Sequence, residues 1–221
     1  MDVAEYLNIH IDDDLLTRAL RARICPICLV LQTKTNELLC SLQLNAVRDE
    51  NVHRLVISTE GYCHFHFWYL EKLASPVTNA RLLEKLLDKI NRQLFEDTSG
   101  VATRSCADTV GCSVCRCCGK WEDSLLSCFA KKIREKDFSS EFQSSSGLCL
   151  PHLSEALKKI GKGEERAFLV ETSRRQLNFL IEDLRRLITK SQNMNHTPGG
   201  EDDSSYRAVG KLVGGRYYRA G

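Results

Sequence analysis

The chain reads as a succession of apolar positions at helical spacing, broken by short polar stretches. Asp12-Asp13-Asp14 precede Leu15, Leu16, Ala19 and Leu20, and Arg18, Arg21 and Arg23 follow. Acid first and base last suits the helix dipole, so a short helix is predicted there. From Pro26 to about Val47 the apolar positions Leu31, Leu38, Leu39, Leu42 and Leu44 predict a longer helix, and Asn51–Ile57 a short one. Gly61 breaks the pattern. A helix through Phe67, Trp68, Leu70 and Leu73 then runs to Pro76. Residues 78–95 predict an amphipathic helix with Leu83, Leu86, Leu87, Ile90 and Leu94 on its apolar side.

The same plan then recurs. Residues 97–111, polar and containing glycine, read as a linker. A helix from Ser113 to about Lys132 follows, then a polar piece to Ser146. Next come a helix carrying Leu153, Ala156, Leu157 and Ile160, and a long one from Glu164 to about Lys190. No stretch alternates as a strand would. The expected fold is all-α: a duplicated helical unit, 1–96 and 112–190, forming two pseudo-symmetric bundles. Residues 191–221 read as a flexible tail, in which Ala208, Val209, Leu212 and Val213 could form the apolar face of a short docking helix.

The repeat carries chemistry. Cys25-Pro26-Ile27-Cys28 is answered by Gly61-Tyr62-Cys63-His64-Phe65-His66. Cys112-Ser113-Val114-Cys115 lies 87 residues after its counterpart, and Gly147-Leu148-Cys149-Leu150-Pro151-His152 lies 86 after its own. Residues at i and i+3 share a helix face, so each pair can reach one ion, and free N–H groups at a helix start favour the thiolate. Each copy thus reads as a Cys3His set that staples its own bundle: Cys25, Cys28, Cys63 and His66 in the first, Cys112, Cys115, Cys149 and His152 in the second. Ordinary buried cysteines would not repeat this spacing, and a disulfide framework suits short secreted chains. His66 is preferred over His64 because Leu150 stands at the second position. His53 is not expected to ligate, and Cys40, Cys106 and Cys128 are expected to pack.

Two zinc ions are the expected cofactors, with a [4Fe-4S] cluster as the alternative, since three cysteines and a histidine suit both. Cys117 and Cys118 stand where the first copy has Val30 and Leu31, which favours packing. The other reading makes Cys115, Cys117 and Cys118 the centre of a thiol redox or metal-transfer enzyme. No phosphate loop or nucleophile elbow is present. Four ligands per site suit closed, structural ions.

Composition adds little to this. The 221 residues carry a net charge of +2, and 27% are charged. No block has the charge density of a dedicated nucleic-acid binder. Eleven cysteines, no apolar run of membrane-spanning length and no signal-like start point to a cytoplasmic metal-binding module. Its expected partner is a protein. Nucleic acid is an alternative at the basic, aromatic stretch 206–219, and no membrane is involved. The paired C-P-x-C and G-x-C-x2-H pattern resembles a prokaryotic family of uncharacterised proteins, a domain of unknown function. The resemblance spans Cys25–His66 and, more loosely, Cys112–His152. It implies the ligand assignment and brings no activity.

Overall fold

The computed structural model describes residues 3–58, 61–73, 75–95, 111–193 and 203–215. Among them are eleven helices and no strand. In chain order they are α1 (Val3–Tyr6), α2 (Asp13–Ala19), α3 (Pro26–Arg48), α4 (Glu50–Ser58), α5 (His64–Leu73), α6 (Pro76–Phe95), α7 (Ser113–Lys132), α8 (Lys136–Ser144), α9 (Leu150–Ile160), α10 (Glu164–Asn193) and α11 (Ser204–Val213). The all-helical expectation holds, and a long, short, short, long order recurs in α3–α6 and α7–α10. Asp12 caps α2 by accepting from the Asp14 N–H at 3.1 Å. No described helix is long and apolar enough to cross a membrane.

The chain folds into two compact units that are not its sequential halves. One gathers Met1–Ile11 and Thr33–Trp121, the other Asp12–Gln32 and Glu122–Ala220. The divisions fall just before α2, within α3 and within α7. The expected linker, residues 97–111, lies outside the described residues except for Gly111.

In the 33–121 unit, Leu38, Leu39, Leu42, Val52, Val56, Leu70, Leu82 and Leu86 are buried. The predicted apolar side of α6 is corrected. Leu82 and Leu86 point inward, while Leu87 is 62% exposed and Leu83 is also open to solvent. With leucines at 82, 83, 86 and 87, spacing alone admits two overlapping faces, and packing selects one. Leu44 of α3 is likewise exposed.

In the 122–220 unit the core contains Leu16, Ile27, Leu31, Leu125, Phe129, Leu148 and Leu169, all essentially inaccessible. The stretch expected to be merely polar, before Ser146, holds α8. Its Phe138 and Phe142, one turn apart, meet the Phe129 ring edge-on at centroid distances of 5.8 and 5.2 Å. The short helix expected in the tail is α11, but it packs by a different side from the expected apolar face. Arg207 pairs with Asp183 of α10 at 2.9 Å, and Lys211 donates to the Ser146 carbonyl at 2.9 Å. Its inward side is Ser204, Lys211 and Gly214, whereas Val209, Leu212 and Val213 face solvent.

Candidate metal centres

All four motifs use one local device. The carbonyls of Cys25, Cys63, Cys112 and Cys149 each accept the first helical hydrogen bond of α3, α5, α7 and α9, from the N–H of Leu29, Phe67, Arg116 and Leu153 at 2.8–3.1 Å. The leading cysteine of each pair is therefore the N-cap, and the second ligand follows three residues on, over the same helix mouth. Pro26 and Pro151 occupy the first turn, where a missing N–H leaves no bond unmade. Gly61 and Gly147, two residues before Cys63 and Cys149, have φ of +84° and +70°. A side chain at Gly147 would overlap Gln176, and one at Gly61 would overlap Phe67. Each glycine thus turns the chain into its cysteine at a place with no room for a Cβ.

The eight expected ligands come together as two groups of four, but not by copy. Cys25, Cys28, Cys149 and His152 form one, in the 122–220 unit; Cys63, His66, Cys112 and Cys115 form the other, in the 33–121 unit. In each group the ligand atoms lie within 4.8 Å of one another. The expected grouping within each copy is corrected: each centre joins the C-x2-C of one copy to the C-x2-H of the other. Helix length explains why. The 23 residues of α3 carry the chain about 35 Å from Cys25, and the 9 residues of α4 return it by only about 13 Å. A turn follows α4, with Gly61 N–H bonded to the Val56 carbonyl at 3.1 Å. Cys63 is therefore not brought back to Cys28. The same holds for Cys149 after α7 and α8, of 20 and 9 residues.

In the 122–220 unit, His152 Nδ1 stands 3.5, 3.3 and 3.1 Å from the sulfurs of Cys25, Cys28 and Cys149, and Cys28 Sγ is 3.7 Å from Cys149 Sγ. In the 33–121 unit, His66 Nδ1 stands 3.3, 3.5 and 3.3 Å from Cys63, Cys112 and Cys115, and Cys63 Sγ is 3.6 Å from Cys115 Sγ. All ligands are buried except Cys115, which is partly exposed. His64 is exposed and belongs to neither group, as expected.

Without an ion, each group is electrostatically frustrated. Burial opposes ionisation of Cys25, yet its hydrogen bonds to Cys149, Cys28 and His152 hold it well below the usual thiol range. Its neighbour Cys28 is driven far upward by its bonds to Cys149 and Cys25 and by burial. Bonds to Cys112 and Cys115 lower Cys63, while Cys112 and Cys63 drive Cys115 upward. Burial opposes a charge on the imidazoles too, yet cysteine partners push both His66 and His152 up to about 11. A dication held by these four residues would remove the conflict by letting all three thiols ionise with the imidazole neutral.

The surroundings of the two histidines differ. His152 Nε2 lies 3.1 Å from the Glu122 carboxylate. Near His66, Cys118 adds to the upward push on the imidazole, and Cys118 Sγ lies 3.2 Å from Thr35 Oγ1. Sequence reasoning named neither Glu122 nor Thr35; once the exchange is known, the repeat offset finds both. Cys117 and Cys118 are buried, Cys40 is exposed and Cys128 partly so, and Cys106 lies outside the described residues. No match was found among curated proteins or among solved structures. The model of a family of unknown function, DUF6062, matches residues 9–219, and the chain belongs to that family.

Proposed function

We propose that this is a metal-binding helical protein that holds two zinc ions in closed Cys3His sites and presents helical surfaces to a protein partner. The spacing of the ligand atoms carries the reading. A tetrahedral zinc with Zn–S of about 2.3 Å and Zn–N of about 2.0 Å sets its sulfurs about 3.8 Å apart and sulfur and nitrogen about 3.5 Å apart. One sulfur pair in each group is 3.7 or 3.6 Å apart, the S···N distances are 3.1–3.5 Å, and all ligand atoms of a group lie within 4.8 Å of one another. Ligands that converge on one point suit a single ion. A four-iron cluster spreads its ligands over four corners and needs a wider cage. Anaerobically purified protein should be colourless, with two zinc per chain by elemental analysis. Brown protein carrying iron and sulfide would defeat the zinc assignment.

The binding role is supported by Tyr206, Val209 and Leu212, which recur on one exposed side of α11 at 56–59% exposure. Val209→Asp with Leu212→Asp should abolish recovery of the protein partner while both ions stay bound. Unchanged recovery would show that this face is not used.

A further inference from the structure

We propose that the two centres differ in purpose: the 33–121 unit holds an exchangeable ion and the 122–220 unit a retained one, with Glu122 and Cys118 as the residues that set the difference. This rests on the metal-binding reading above.

The repeat offset of 87 pairs Glu122 with Thr35 and Cys118 with Leu31. Because the centres exchange motifs between copies, these four residues sort into two matching couples. Glu122 stands behind the ligands of the 122–220 unit, and the residue that answers Cys118 in the repeat is the fully buried Leu31, one turn beyond Cys28 on α3. In the equivalent places of the 33–121 unit stand Thr35 and Cys118, 3.2 Å apart. His152 thus has a carboxylate at its outer nitrogen, while the matching places in the 33–121 unit hold a hydroxyl and a thiol that contact each other. A carboxylate accepting the imidazole N–H strengthens as the bound ion polarises the ring, and it fixes the tautomer. A thiol is a weak acceptor and gives less of both.

Coverage differs in the same direction. The Lys211 ammonium is buried beside the Cys25 and Cys149 thiols, and Gly215 lies so close to Cys28 that a Cβ there would come within 3.0 Å of the Cys28 Cβ. In the 33–121 unit, Cys115 remains partly open. Exchange of a closed tetrahedral ion begins with an incoming ligand displacing one already bound, and Cys115 is where that ligand can enter.

The test loads the full chain with zinc, confirms two ions by elemental analysis, and follows transfer to excess chromophoric chelator. Two phases of one ion each are expected, differing at least about tenfold, the range in which outer partners of metal-bound histidines act. Cys63→Ser should abolish the fast phase and Cys149→Ser the slow one. Glu122→Gln should speed the slow phase about 10- to 100-fold and leave the fast phase alone. Thr35→Glu with Cys118→Leu, which transplants the Glu122 couple, should slow the fast phase. If that double variant does not fold, Glu122→Gln decides. A single phase, a fast phase that disappears with Cys149→Ser, or a slow phase indifferent to Glu122→Gln overturns the inference alone. A chain that takes up no metal sinks the metal reading as well.

Discussion

The two centres share their ligand types, their helix-cap placement and their thiol spacing, yet their neighbourhoods have little in common. His152 is backed by Glu122, while Cys118 adds to the upward push on His66. The Cys25 group lies beside the buried Lys211, whereas the Cys63 group leaves Cys115 partly open. Ligand identity is thus set locally, by a cysteine at a helix start and a second donor three residues on. On the inference drawn above, how firmly an ion is held is set by side chains that other helices bring in. Two sites can be duplicates in sequence and still behave differently.

The largest effects come from removing ligands, and they break the comparison if the partners are wrong. Cys25→Ser with Cys149→Ser removes two ligands of one centre and should leave one ion. Cys25→Ser with Cys63→Ser strikes both centres and should leave none. With metal binding worth on the order of 10 kcal/mol in small zinc domains, the second pair should also unfold the chain far more readily. Metal content by elemental analysis separates the outcomes. The opposite pattern would restore the grouping within each copy.

Acid sharpens the comparison. Protons compete with the ion for the thiolates and the imidazole, so both centres should empty as pH falls between roughly pH 7 and pH 4. The 33–121 unit should lose its ion at the higher pH. A single midpoint for both ions, read from metal retained after desalting, would argue that the neighbourhoods do not matter.

Smaller and more even losses are expected at the turns. Gly61→Ala and Gly147→Ala each place a side chain at positive φ, at a cost of about 1–3 kcal/mol. Thermal unfolding of the loaded protein should report both. A variant as stable as the parent would show that the turn can relax. Smallest of all, Cys40→Ser lies on the exposed side of α3 and should change stability by no more than about 0.5 kcal/mol with both ions retained. A larger loss would assign Cys40 a role in its unit.

The sequence disclosed most of the helices, though not α1 or α8, and all eight members of the two groups, because both kinds of signal are local. Apolar spacing reports one helix face, and C-x2-C reports one helix start. The pairing needed one further step. A helix from Pro26 to Val47 followed by a much shorter one disfavours a return of Cys63 to Cys28, and the turn that follows α4 decides it. Phe138 and Phe142 announced α8 by their i, i+4 spacing, hidden among serines and charges. The outward turn of Leu83 and Leu87 was not legible, because two leucine pairs compete for one face and only packing decides between them. The inward turn of Lys211 was hidden for a different reason: its surroundings come from Ser146 and the thiols, far away in the chain.

The exchange of motifs also orders the history of each molecule as it leaves the ribosome. The ligands from Cys63 to Cys115 lie wholly between Cys28 and Cys149 in the chain, like one bracket inside another. The enclosed centre is complete once Cys115 has emerged, while Cys25 and Cys28 must wait for His152. During that interval the two thiols of the earlier motif lack the other half of their centre, open to stray metal or oxidation. A truncated product ending soon after Trp121 would carry every ligand of one centre and only half of the other.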